Sequence, residues 1–314
     1  MCAQYLNDSR QPAIGLALGS GLARGFAHIG VLKALRRHNI EPRIVAGTSI
    51  GALVGGCYLA GKLDDLEEWA LTLNRRKVFG FLDFRVRSPG LIGGTKILSM
   101  LEQHFGNMVI EDLTHPFVAV ASDLATGHEV WLREGNIVNA MRASFALPGV
   151  FPPIEIDNRY LVDGALINPV PVSACLAMGS RMTIAVDLNA DMIGKATKPG
   201  QKYQTVAGFD IFSSDVDQDQ QKLFNHGLSQ RIFRREQNAP SLFGVMVSAL
   251  NIMQDRLTRS RLAGDPPDVH IRPQISHIGL MEFERAKEMI AEGQDSVERA
   301  LPDIKSAMRV HLGQ

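Results

Sequence analysis

The chain has 314 residues, of which 45% are hydrophobic and 21% charged, and its 33 basic and 33 acidic side chains cancel to a formal net charge of +0. That length and apolar content suit one large α/β domain or two small ones, with a sizeable core. The missing basic excess argues against a nucleic-acid partner, and the three scattered cysteines, Cys2, Cys57 and Cys175, supply neither a disulfide framework nor a zinc spacing and point to a reducing compartment.

The N-terminus, MCAQYLNDSRQP, is polar and has no apolar signal core. No uncharged apolar stretch reaches the roughly 18 residues of a spanning helix. A soluble cytoplasmic protein is expected, with contact at the inner face of the membrane left open. AIGLAL (13–18) reads as a buried strand, GSGLARG (19–25) as a glycine-rich loop, and Phe26, Ile29, Val31, Leu32 and Leu35 recur at helical spacing. A second strand at 43–46 and a small-residue helix at 50–60 follow. This order implies a parallel sheet. Residues 62–77 read as a mixed-charge helix and 80–95 as loop. FVAVASDL (117–124) is a strong strand, and EVWLREG (129–135) pairs back on it through a Thr126–Gly127 turn. IEIDNRYLVDG (154–164) reads as a hairpin turning at Asp157–Asn158, and MTIAVDL (182–188) as a late core strand.

Composition shifts at residue 190, and the stretch 190–221 is rich in Asp, Gln, Lys, Ser and Gly, which reads as a mobile excursion. An apolar helix resumes at 242–257 through Phe243, Met246, Val247, Leu250 and Met253. It is read as core, with a homo-oligomer seam as its alternative. A charged amphipathic helix at 280–300 closes the chain. Between them, Lys222 to Arg235 carries four positive charges and no acids, with Phe224, Leu228 and Ile232 four apart. Such a segment can lie in a lipid interface, although a solvated helix is the plainer reading.

The first chemistry-bearing motif is GTSIG, where Ser49 sits between Gly47 and Gly51 at a strand-to-helix turn. A glycine two before and two after a serine is the pattern of a nucleophile elbow. The sharp turn exposes the hydroxyl, and the helix behind it offers unsatisfied amides. The second is GSGLARG. A glycine-rich loop that opens a helix can supply N–H donors to an oxyanion, cradle a phosphate, or simply allow close packing. Arg24 either adds positive charge nearby or fixes the loop. The third requirement is a base. His226, His270, His277 and His311 follow the hairpins, and none has a triad-like context. Asp163, Asp123 and Asp187 all end strands, where an aspartate often serves only as a turn former. The residues alone do not choose among them.

Four blocks occur in order: LGSGLARGFAHIGVLKAL, AGTSIGALVG, MRASFALPGVFPP and LVDGALINPVPV. In these the chain resembles the patatin-like serine acyl hydrolases, in particular the bacterial branch related to neuropathy target esterase. The resemblance covers about residues 13–190 and continues at 253–273 and in the C-terminal helix. It implies a three-layer α/β/α sandwich with a mainly parallel central sheet, forming a single domain over 1–314: a core at about 13–190, an excursion at 190–240 and a helical part at 241–314. It implies a Ser–Asp dyad without histidine, which selects Asp163 to accept the proton of Ser49 and later activate water. Gly19, Ser20, Gly21 and Leu22 align with the family's oxyanion loop, with Ser20 and Leu22 standing where glycine is frequent. Arg24 matches the family's basic position, and Gly164 is followed by Ala165 where many members carry a second glycine. Ser144 is expected to support the site wall. The implied activity is hydrolysis of a phospholipid or lysophospholipid ester through an acyl-serine, with no metal or organic cofactor. The alternative is a catalytically quiet regulatory protein of the same fold.

Overall fold

The computed structural model describes residues 13–74, 95–191 and 242–313. Most of the loop read at 80–95, the polar excursion and the basic segment 222–235 lie outside the described residues.

The chain alternates strands and helices from its start. β1 (Ile14–Leu18) leads through a 3-10 helix (Leu22–Phe26) into α1 (Ala27–Arg37), and β2 (Ile44–Thr48) turns at Ser49 into α2 (Ile50–Leu59). α3 (Leu63–Leu71) and α4 (Thr95–Phe105) precede β3 (Phe117–Asp123) and β4 (Glu129–Leu132). α5 (Ile137–Ser144) is followed by the hairpin β5 (Ile154–Ile156) and β6 (Arg159–Asp163), and α6 (Val172–Ala177) by β7 (Met182–Val186). The described chain ends with α7 (Leu242–Gly264), β8 (Val269–Ile271) and α8 (Ala286–Leu312).

These eight strands form one sheet of order β5-β6-β3-β2-β1-β7-β8, with β4 paired to β3 off that path. β8, β7, β1, β2 and β3 run parallel; β4, β5 and β6 are antiparallel additions. The strands read as continuous apolar runs because both faces of the sheet are covered. Leu16, Leu18, Val45, Phe117, Ala119, Ile184 and Val186 point into the core shared with α1, α2 and α8. Ala17, Ile44, Ala46, Val118, Val120 and Ala185 alternate to the other face, against α6 and Leu262 of α7. The result is the α/β sandwich with a mainly parallel sheet that the sequence implies.

Local chemistry explains the connections. The β5–β6 hairpin turns at Asp157 (φ 51) and Asn158 (φ 61), where two successive left-handed residues match the strands' twist. Three readings need correction. The glycine loop closes into a 3-10 helix already at Leu22, and α7 leaves Met253 63% exposed, so that residue is not core. α8 also runs past residue 300 and through Pro302.

The loop geometry near the site depends on how β3 is shared. β4 occupies one edge, opposite Ala119–Ser122. β2 pairs with Phe117–Val120 and β6 with Ala121–Asp123. Both stretches overlap that of β4, so β2 and β6 occupy the other edge end to end. β2 arrives parallel and β6 antiparallel, and their C-termini meet head-on. Thr48 lies opposite Val120 and Asp163 opposite Ala121.

α1 and α8 cross through glycine. A Cβ on Gly30 would lie 1.9 Å from the Ile290 carbonyl oxygen, and one on Gly293 would lie 2.0 Å from that of Ala27. In a free helix alanine is favoured over glycine by about 1 kcal/mol. At this crossing the sign reverses, because the backbones must separate to admit a methyl. Gly30→Ala is expected to lower unfolding free energy by about 1–3 kcal/mol, read from the urea midpoint at unchanged slope. A variant as stable as the wild type would contradict the crossing.

Candidate active site

Ser49 occupies a backbone conformation with φ 58 and ψ −123, outside the regions an L-residue prefers and costing on the order of 1–3 kcal/mol. The surroundings impose it. A Cβ on Gly47 would lie 2.5 Å from Ala52 Cα, and one on Gly51 would lie 2.1 Å from the Leu18 carbonyl oxygen. The first turn of α2 therefore packs onto the ends of β1 and β2 with no room for side chains, and the chain must reverse within one residue. The Ser49 amide is held by a directed chain. It donates to Ser144 Oγ at 2.9 Å, and that hydroxyl donates to the Val120 carbonyl oxygen at 2.5 Å. Ser144, expected only to support the wall, braces the turn itself.

The head-on meeting of β2 and β6 sets Asp163 beside this turn. Ser49 Oγ donates to Asp163 Oδ2 at 2.7 Å. The other oxygen, Oδ1, accepts the Ala165 amide at 2.8 Å, which fixes the plane of the carboxyl. Gly164 is required because a Cβ there would lie 2.2 Å from the Val120 carbonyl oxygen. Asp163 is 1% exposed and Ser49 4%. Burial pushes the Asp163 carboxyl from an ordinary 3.8 up to about 7, against the opposing pull of the Ala165 amide and the Ser49 hydroxyl.

The other two strand-end aspartates are turn formers. Asp123 Oδ1 accepts the amides of Ala125 and Thr126, and Asp187 Oδ1 accepts that of Asn189. His270 faces Asp187 at 3.6 Å, His277 bonds Glu288 at 2.7 Å and His311 lies 3.2 Å from Asp268. None of the three lines the cavity around Ser49, and His226 lies outside the described residues. Among the described residues no group of three or more His, Cys, Asp or Glu is placed to hold a metal ion.

The glycine loop lies across the site, and its four residues differ. Gly19 donates its amide to the Val186 carbonyl oxygen at 3.0 Å, and Ser20 donates its own to that of Pro169 at 2.9 Å. Those two amides are spent on the fold, which corrects the expectation that they face an oxyanion and leaves no run of open amides for a phosphate. The amides of Gly21 and Leu22 have no such bond among the described residues. Leu22 reaches this arrangement with φ 51, a left-handed value that accounts for the frequent glycine at this position. Arg24 resolves as a loop pin: its Nε and Nη2 donate to the Ile278 carbonyl oxygen at 2.8 and 2.5 Å. Burial lowers it to about 10, partly offset by Asp191 and Glu282, so it stays charged.

His28 was visible in the sequence as the one ionisable residue in an apolar stretch of α1, and sequence reasoning gave it no role. It is fully buried, and its Nε2 donates to the Gly19 carbonyl oxygen at 2.7 Å. Burial drops its pKa to about 4, so the neutral ring holds the loop from behind. Asn251 and Gln254 of α7 were also missed. With Val247 and Leu250 they roof a cavity walled by Leu147 and Leu280 and floored by Ser49 and Asp163. Arg261 ties α7 to the segment after Asp163 through the Ile167 carbonyl oxygen at 3.1 Å. The cavity is about 20 Å³, room for one water-sized group at roughly 10–15 Å³ each.

The patatin-like phospholipase family profile matches residues 16–176, the span that carries the elbow, the glycine loop and Asp163. The chain belongs to this family. An uncharacterized NTE family protein of Mycobacterium tuberculosis (strain ATCC 25618 / H37Rv) is 34% identical over 338 residues, covering 95% of this chain and 94% of its own. Patatin-like phospholipase domain-containing protein 7 of Rattus norvegicus is 32% identical over 185 residues, 57% of this chain and 14% of that protein. Among solved structures, VipD from Legionella pneumophila aligns over 97% of this chain and 81% of its own, at a TM-score of 0.38 and 11% identity, too distant to add to the assignment. As a patatin-like phospholipase the chain is a lipid hydrolase in general terms. Among the described residues no helix is long and apolar enough to cross a membrane.

The buried carboxyl makes stability depend on pH. Its folded value, about 7, lies above the ordinary 3.8, so its contribution is full below the unfolded value and is lost as pH rises through about 7. Asp163→Asn cannot ionise. It is expected to melt above the wild type at about pH 9 and to lose that advantage as pH falls toward 4. Parallel melting curves across the range would contradict the burial cost.

Proposed function

We propose that this protein is a serine acyl hydrolase that cleaves the carboxylic esters of phospholipids or lysophospholipids with Ser49 as nucleophile and Asp163 as base. The observation that carries the reading is the 2.7 Å bond from Ser49 Oγ to a buried Asp163 oxygen, at a strained turn in a cavity.

The chemistry follows from the groups in place. Ionised Asp163 accepts the Ser49 proton as Oγ attacks the ester carbonyl carbon. The carbonyl oxygen becomes an oxyanion, and the open amides of Gly21 and Leu22 donate to it. The tetrahedral centre collapses and expels the alcohol oxygen, which takes the proton from Asp163 and leaves an acyl–Ser49 ester. A water then gives its proton to Asp163 and attacks the same carbon. The second collapse returns that proton to Ser49 and releases the carboxylic acid. Carboxyl titration near neutrality suits both proton transfers.

The lipid class rests on the walls. Leu147, Val150, Val247 and Leu280 form an apolar cluster with Leu22, Phe151, Met246 and Leu250 packed against it, and five of these eight also line the cavity beside Ser49. This surface suits an acyl chain better than a polar group. The cavity itself is too small for a chain, so entry requires Val247 and Leu250 of α7 to give way.

The test is hydrolysis of a short-chain nitrophenyl ester and of a lysophospholipid. Ser49→Ala is expected to fall to background with its melting temperature kept, and Asp163→Asn to lose about 10²–10⁴ in rate. Turnover by Ser49→Ala equal to that of the wild type would overturn the reading, as would the absence of any turnover, which would favour a quiet member of the fold.

A further inference from the structure

Ser20 stands in the glycine loop, 4% exposed, and among the described residues its buried Oγ has no hydrogen-bond partner. A buried hydroxyl left unpaired lowers stability, and native proteins hold few of them. Glycine or alanine would avoid the cost, since the Ser20 amide already makes its bond to Pro169 and needs no side chain to do so. That bond also fixes the Cα and so confines where Oγ can point. Ser20 lines the same cavity as Ser49, Asp163, Gly21 and Leu22, and that cavity has room for about one oxygen.

We propose that the Ser20 hydroxyl is a catalytic residue, the third donor to the oxyanion beside the Gly21 and Leu22 amides. At rest its hydrogen has no acceptor among the described residues. When the ester carbon becomes tetrahedral, the carbonyl oxygen gains charge within this cavity and accepts from all three. The bond is made in the transition state and is weak or absent before it, so it raises kcat and leaves KM nearly alone. The stability cost at rest and the rate gain are two faces of one unmade bond. The assignment rests on the hydrolase reading above.

The test compares wild type, Ser20→Ala, Ser20→Thr and Ser49→Ala as full-length proteins on a short-chain nitrophenyl ester. Melting curves are recorded, together with the affinity for a trifluoromethyl ketone that forms a tetrahedral adduct. Ser20→Ala is expected to melt at or above the wild type, to lose about 10²-fold in kcat with KM little changed, and to weaken the ketone by a similar factor. Ser20→Thr, which keeps the hydroxyl, is expected to retain most of the rate. Should Ser20→Ala lose its fold, Ser20→Cys keeps the volume with a poorer donor and gives the same reading. Ser49-dependent turnover in the wild type with kcat of Ser20→Ala unchanged would overturn this assignment alone. Absence of Ser49-dependent turnover in the wild type would overturn the hydrolase reading and this assignment with it.

Discussion

The β3 edge carries the whole site. Two strands that run in opposite directions share it, β2 up to Val120 and β6 from Ala121 onward. Their C-termini abut, and whatever residue ends each strand is pressed against the other. One ends in the turn that holds Ser49 and the other in Asp163. A 114-residue separation in the chain becomes a 2.7 Å hydrogen bond through backbone pairing alone. The Val120 carbonyl oxygen marks the joint: Ser144 donates to it, and Gly164 passes it too closely for a Cβ.

Each feature of the site then has a cost that the fold covers elsewhere. The Ser49 turn is strained, and the packing of α2 against β1 and the Ser144 brace hold it. The Asp163 carboxyl is buried away from water, which raises its pKa, and the Ala165 amide and Ser49 hydroxyl keep it from becoming a plain acid. The glycine loop spends two amides on Val186 and Pro169 and is held further by Arg24 and His28. In that way two amides stay open and fixed. Rigid donors, a confined serine hydroxyl and a carboxyl that titrates near neutrality are what the proposed ester cleavage requires.

Legibility in the sequence followed the range of the interactions. The strands were plain because burial on both faces makes them apolar runs, and the Asp157–Asn158 hairpin because its turn chemistry is local. Gly47, Ser49 and Gly51 were plain because close packing leaves only glycine. Asp163 was not separable from Asp123 and Asp187 by residue pattern, since all three end strands; only the resemblance chose it, and the pairing of β6 with β3 explains the difference. The spent amides of Gly19 and Ser20 were hidden because their partners lie far along the chain. Met253 falls on the apolar pattern of α7 yet is exposed, because the inward side of the helix includes the polar Asn251 and Gln254, which blur the periodicity. The sequence leaves Arg24 two roles, and its bond to the Ile278 carbonyl oxygen selects the structural one.

In the proposed reaction a near-neutral, buried carboxyl activates one serine. The rate at which a fluorophosphonate phosphonylates the protein with loss of fluoride, followed by mass spectrometry of the labelled peptide across pH, tests this activation. A single adduct on Ser49 is expected, with a rate that rises with pH to half its plateau at about 7 and loses that limb in Asp163→Asn. Labelling at another residue, or a Ser49 rate with the same pH dependence in Asp163→Asn as in the wild type, would contradict it.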